Sequence, residues 1–191
     1  MTKVVELTGP LTEAQGARVA AAIRSAKGVV DLRINSPGGR YGSAIAIALE
    51  IEESAHAVVT TILGEACSAA ALVALAGDQR RICEGGSMMV HFPAPSPRYR
   101  TSADERARTA AEHFRAICEY LPDAQPADVR QWMSEERHFT AREALAAGLV
   151  DRIASVSATP TVFVREPRKR APTAWLRSWR DFHERHDLRA A

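Results

Sequence analysis

The chain reads as an α/β protein built on a mainly parallel sheet covered by helices. Two observations predict this. Short runs rich in β-branched residues alternate with alanine-rich segments whose apolar positions recur at helical spacing. The second such run ends in a glycine turn, Ser36-Pro37-Gly38-Gly39, before the next helical segment begins. Strand–turn–helix alternation of that kind belongs to parallel sheets, whose strands need crossover helices.

The elements follow in order. Val4–Leu7 is a first strand, and Thr12 with Gln15 forms a capping box for a helix running to about Lys27. Val29–Ile34 is a second strand. Ser43–Ser54 is helical through Ile45, Ala48, Leu49 and Ile51, and Val58–Leu63 is a third, β-branched strand. The apolar run from Ala69 to Ala76 is a helix that begins just after Ser68. Arg81–Cys83 and Met88–His91 are two further short strands. Pro93, Pro95 and Pro97 then exclude a helix. Ser102-Ala103-Asp104-Glu105 opens a long helix to about Tyr120, and Pro126 through Met133 is a shorter one. Thr140 with Glu143 caps a helix ending at Gly148, before a last strand over Leu149–Ile153.

Composition narrows the class. At 191 residues and 46% apolar content, one ordinary core can form, and a net charge of +2 gives no pull toward nucleic acid. Cys67, Cys83 and Cys118 are odd in number and lack metal-ligand spacing, so they read as reduced thiols. No secretory h-region or membrane-length apolar run is visible, which makes a cytoplasmic location the expectation. No metal, cofactor or membrane partner is called for. From Arg165 onward eight basic and four acidic residues give the tail a charge of +4. Trp175, Trp179 and Phe182 recur there at helical spacing, behind Pro160, Pro167 and Pro172. This divides the chain into a domain at 1–154 and a basic tail at 155–191, which we expect to carry an amphipathic docking helix.

The chemistry concentrates between Ile34 and Pro93. Ser68 lies where backbone N–H groups and the positive end of a helix converge, a setting suited to a nucleophile that develops negative charge. The bland alternative is a helix cap. His91 follows on the next apolar strand, as a base matched to neutral pH. The glycine pair can bring N–H groups close to a substrate oxygen. Cys67 is a rival nucleophile, read as a small buried residue whose side chain points away from that of Ser68. His56, His113, His138, His183 and His186 lack a comparable setting, although His138 lies near the expected third triad position.

Four ordered blocks carry a resemblance: Ile34-Asn35-Ser36-Pro37-Gly38-Gly39, Ala66-Cys67-Ser68-Ala69, His91-Phe92-Pro93, and Phe139-Thr140-Ala141-Arg142-Glu143-Ala144 leading into Gly148-Leu149-Val150-Asp151. Together they resemble the ClpP-like serine peptidases, the caseinolytic protease proteolytic subunits and their relatives, over roughly Val4 to Ile153. The resemblance implies a crotonase-like fold of repeated ββα units with a protruding handle helix, here Ser102 to Tyr120. It implies a serine endopeptidase in which Ser68 attacks, His91 moves the proton and Glu136 stands in the register of the family's aspartate. It also implies an oxyanion hole from Gly38 or Gly39 with Ala69, and a peptide-binding edge at Gly39-Arg40-Tyr41-Gly42 that makes Arg40 and Tyr41 substrate-binding candidates. Ala69 replaces a bulkier residue usual in the family, which leaves a backbone donor intact.

A peptide or protein substrate and a homo-oligomer assembled through the handle are the implied partners. The family's N-terminal unfoldase-docking segment has no counterpart before Val4, which argues against an ATP-dependent unfoldase partner and for a small-peptide or self-processing peptidase. Two other readings stay open: a catalytically degenerate assembly subunit, and a crotonase-like acyl-CoA enzyme, against which Ser68 with His91 speaks. A Ser-Lys dyad is disfavoured because the only lysines are Lys3, Lys27 and Lys169.

Overall fold

The computed structural model describes residues 1–93 and 102–155. The expectations for Pro95, Pro97 and the tail with its tryptophans therefore lie outside the described residues. Thirteen elements follow one another: β1 Lys3–Thr8, α1 Glu13–Arg24, β2 Val30–Ser36, α2 Tyr41–Glu53, β3 Val58–Cys67, α3 Ala69–Ala76, β4 Gln79–Cys83, β5 Ser87–Met89, α4 Ala103–Tyr120, α5 Pro126–Ser134, β6 His138–Thr140, α6 Ala141–Ala146 and β7 Arg152–Ala154. The sheet order is β1-β2-β3-β4-β7, with β5 paired to β3 and to β6. Every pairing is parallel except β5 with β6. This is an α/β architecture on a mainly parallel, helix-covered sheet, as expected.

β3 is the pivot of the sheet. Its first half, Val59–Ile62, pairs with β4, and its last three residues pair with β5. The sequence reading ended this strand at Leu63 because glycine follows. The strand instead passes through Gly64, where any side chain would collide with the Asn35 carboxamide. That close approach lets Asn35 Oδ1 accept the Glu65 N–H at 3.2 Å, and the β2–β3 register shifts between Ile34 and Ser36.

α3 explains the centre of the core. All eight of its residues are apolar and buried, so it threads between the sheet and its neighbours with no polar face. α1 packs on α2 and α2 on α3, burying Val19, Ile23, Ile45 and Ala48 against Leu32 and Ile34. At the far edge, Arg80 and Asp151 hold β7: Asp151 accepts from the Arg80 backbone N–H and guanidinium, each at 2.8 Å. None of the helices among the described residues is long and apolar enough to cross a membrane.

Several boundaries move. α1 ends at Arg24, short of Lys27, and its capping box is half made: Thr12 accepts the Gln15 N–H, but the Gln15 carboxamide donates to the Thr8 carbonyl instead. β5 stops at Met89, so His91 lies beyond the strand. The last strand is Arg152–Ala154, and β6 is an additional strand of three residues. The capping boxes at Ser102/Glu105 and Thr140/Glu143 are complete. In α4, Ile117 and Tyr120 are core residues, and the Tyr120 hydroxyl donates to Glu52 Oε1 at 2.6 Å. Phe114 remains only partly covered.

Candidate active site

Ser68 is the single residue between β3 and α3, and the turn it makes is tight. Its φ of 56° and ψ of −123° lie outside the regions an L-residue prefers. Its N–H donates to the Met89 carbonyl at 2.9 Å, which ties the turn to β5. A capping serine would direct its hydroxyl at the N–H groups of the next turn. Ser68 makes no such bond. Its Oγ instead lies 2.7 Å from His91 Nε2.

His91 is positioned by the backbone on either side of it. The Val90 N–H donates to the Arg137 carbonyl at 3.3 Å, and the Phe92 N–H to the Met133 carbonyl at 3.1 Å. Both acceptors flank Glu136 at the end of α5. Glu136 Oε1 consequently stands 3.7 Å from His91 Nδ1, within ion-pair range and beyond hydrogen-bond range. The Glu136 side chain is 69% exposed against 16% for His91. His91 Nδ1 is buried and has no hydrogen-bond partner among the described residues. The structure thus joins Ser68 and His91 directly and brings Glu136 alongside. His138, held in reserve for that position, is an exposed residue of β6 paired with Met89.

Cys67 is buried, and its thiol is pushed up to about 11, by burial first and then by Glu65, whose Oε2 is 3.6 Å from the sulfur. A thiol held protonated near neutral pH is a poor nucleophile.

The glycine turn presses against Ser68. A side chain at Gly38 would come within 2.5 Å of the Cys67 carbonyl and 2.8 Å of Ser68 Cβ. Gly38 and Gly39 take φ of +92° and +148°, which other residues rarely adopt. The two N–H groups differ in what they are free to do. That of Gly38 donates to Ser36 Oγ at 3.1 Å. Gly39 lies in a parallel bridge with Leu11, made by Leu11 N–H to the Gly38 carbonyl and Arg40 N–H to the Leu11 carbonyl, each 2.8 Å. Alternation along an extended segment turns the N–H of Gly39 to the opposite edge. Ala69 is the first residue of α3, so its N–H has no partner within the helix. Gly39 and Ala69 are therefore the two candidate oxyanion donors.

The proposed peptide edge is shorter than the sequence suggested. Only Gly39 and Arg40 are extended, since the Arg40 carbonyl already accepts the Ser43 N–H at 3.1 Å and starts α2. Arg40 pairs with Glu13 at 3.2 Å. Tyr41 is the first residue of α2, with its ring stacked on His113 at 5.0 Å between centroids. His113 was among the histidines without a recognisable setting. Its signal was the spacing His113, Ala116, Ile117, Tyr120, one buried helical stripe.

Comparison with known proteins shows the family of the chain. The Clp protease family model matches residues 4–157. A Clp protease proteolytic subunit-like protein of Streptomyces coelicolor is 33% identical over 139 residues, covering 69% of this chain and 66% of that protein. ATP-dependent Clp protease proteolytic subunit 1 of Nocardia farcinica is 29% identical over 133 residues, covering 66% of this chain and 67% of the relative. Subunit 2 of Frankia casuarinae is 27% identical over 130 residues, 65% of this chain and 60% of its own. The chain spans about two thirds of these relatives' length or somewhat less. It belongs to the Clp protease family.

Proposed function

We propose that the chain is a serine peptidase acting through Ser68 and His91. The observation that carries this reading is the 2.7 Å contact between Ser68 Oγ and His91 Nε2, made by a serine that forgoes capping the helix behind it. His91 Nε2 accepts the hydroxyl proton as Ser68 Oγ attacks the scissile carbonyl. The tetrahedral oxygen receives the N–H groups of Gly39 and Ala69, each contributing about 3 kcal/mol to the transition state. The imidazolium then protonates the leaving amine, and water cleaves the acyl-enzyme by the same route. Glu136 orients His91 by closing the 3.7 Å gap to Nδ1, since catalytic hydrogen bonds often tighten only with substrate bound.

A fluorogenic peptide assay tests this. Wild type should cleave, with Ser68→Ala and His91→Ala at background; cleavage that survives both substitutions contradicts the reading.

One observation favours a second reading, a degenerate assembly subunit: Glu136 is exposed and His91 Nδ1 has no hydrogen-bond partner among the described residues. A chain that forms oligomers but cleaves no peptide would support it. Under either reading we propose self-association through the first turns of α4, where residues 103–108 are all exposed. A monomer by light scattering at micromolar concentration would count against that.

A further inference from the structure

Tyr41 and His113 form a buried aromatic pair whose polar atoms the fold leaves without partners. Their rings stack with centroids 5.0 Å apart and planes 26° apart. His113 is only 2% exposed. Both of its ring nitrogens and the Tyr41 hydroxyl are buried and lack hydrogen-bond partners among the described residues. Buried polar atoms are normally satisfied, so three on one pair of rings call for a ligand to explain them.

The pair stands beside the candidate catalytic centre. Tyr41 lies two residues after Gly39, the candidate oxyanion donor, and His113 on α4 stacks on its ring. The pair thus adjoins the oxyanion segment. We infer that Tyr41 and His113 form the polar wall of the site that receives the substrate side chain next to the scissile bond, and that they select an uncharged side chain able both to donate and to accept hydrogen bonds, a carboxamide.

The chemistry of the two rings sets that choice. A neutral imidazole offers one N–H donor and one nitrogen acceptor, and a phenol does both. Burial lowers His113 to about 4 and raises the Tyr41 hydroxyl, so both are neutral at working pH. A cationic side chain would sit against the imidazolium that develops on His91. A carboxylate would enter beside the developing oxyanion, with Arg40 already paired to Glu13. An aliphatic side chain would leave the three atoms unpaired. A site built to hydrogen-bond discriminates strongly against an analogue that cannot. The pair stacks and makes no hydrogen bond through these three atoms among the described residues, so an entering carboxamide adds hydrogen bonds the fold does not supply.

The inference rests on the Ser68 peptidase reading, and its test keeps the two apart. Full-length protein is treated with three probes: a small alkyl fluorophosphonate, and two peptidyl phosphonates that differ only in a glutamine or a leucine side chain next to phosphorus. The alkyl probe reports whether Ser68 reacts at all; no adduct on Ser68 defeats the peptidase reading and this inference with it. Given that adduct, wild type should react about tenfold or more faster with the glutamine probe than with the leucine probe. Tyr41→Phe and His113→Phe should each reduce or reverse that ratio, and His113→Gln, which keeps donor and acceptor, should retain more of it. Reading a ratio cancels any change in Ser68 reactivity common to both probes. A leucine preference in wild type, or a ratio unmoved in both phenylalanine variants, overturns the inference.

Discussion

Glu136 presents its carboxylate 3.7 Å from His91 Nδ1 while its own backbone takes a φ of +51°. It follows the last residues of α5, and the Arg137 N–H reaches back to the Trp132 carbonyl at 2.9 Å, closing the turn that normally places glycine at this position. A left-handed glutamate costs stability that glycine would recover. Glu136→Gly should therefore raise the melting temperature by a few degrees, from relief of about 1 kcal/mol, while lowering peptide cleavage. Differential scanning calorimetry beside the peptide assay checks it. A variant that is less stable, or one as active as wild type, argues against an orienting role for this carboxylate.

Glu136→Gln keeps the side chain's length and removes its charge. Loss of the base removes nearly all catalysis, roughly 10⁴-fold or more, whereas loss of an orienting carboxylate costs less. The expected order of kcat/KM is wild type, then Glu136→Gln at a measurable level, then His91→Ala near background. Equal losses would show that the two residues act as one unit.

The strands and helices that frame the site were legible because each carries its own pattern. Val58–Ile62 is β-branched, and the run from Ala69 to Ala76 is too apolar to lie anywhere but the core. Ser68 and the glycine turn were legible too, since both depend on local backbone geometry. What escaped depends on partners distant in sequence. β6 is three residues long and exists because Phe139 pairs with Met88. The passage of β3 through Gly64 depends on Asn35, which accepts from Glu65 thirty positions along the chain. No local pattern marks the left-handed turn at Glu136, and its place came only from register within the family resemblance. The role of Gly38 was legible only to the pair, because Ser36 Oγ decides which glycine N–H stays available.

That division can be tested. Gly38→Ala should disturb the nucleophile itself, because its methyl meets Cys67 and Ser68. Gly39→Ala should disturb the Leu11 bridge, because its methyl comes 2.5 Å from the Leu11 carbonyl. Each adds strain at a positive φ on the order of 1–3 kcal/mol. Both should lower kcat well beyond any change in KM, and unchanged kcat in either variant removes the glycine turn from the oxyanion site.

Acid should weaken the fold through His113. Its folded pKa, about 4, lies below its ordinary 6.5, so the unfolded chain binds the extra proton first. The stability this group contributes is complete above 6.5 and is lost as pH falls toward 4, by up to roughly 3 kcal/mol. Urea unfolding at pH 7.5 and pH 5 should show a larger loss for wild type than for His113→Phe. Parallel losses in the two proteins would place the acid sensitivity elsewhere.

The central claim is that Ser68 is the nucleophile, and covalent capture tests it most directly. Wild-type protein treated with a fluorophosphonate at neutral pH should carry one adduct, which peptide mapping assigns to Ser68. Cys67→Ala should label as wild type does, and Ser68→Ala should not label while melting within a degree or two of wild type, because one hydroxyl at a helix start contributes about 1 kcal/mol or less. An adduct that persists in Ser68→Ala and vanishes in Cys67→Ala, or no adduct on the wild-type chain, contradicts the account.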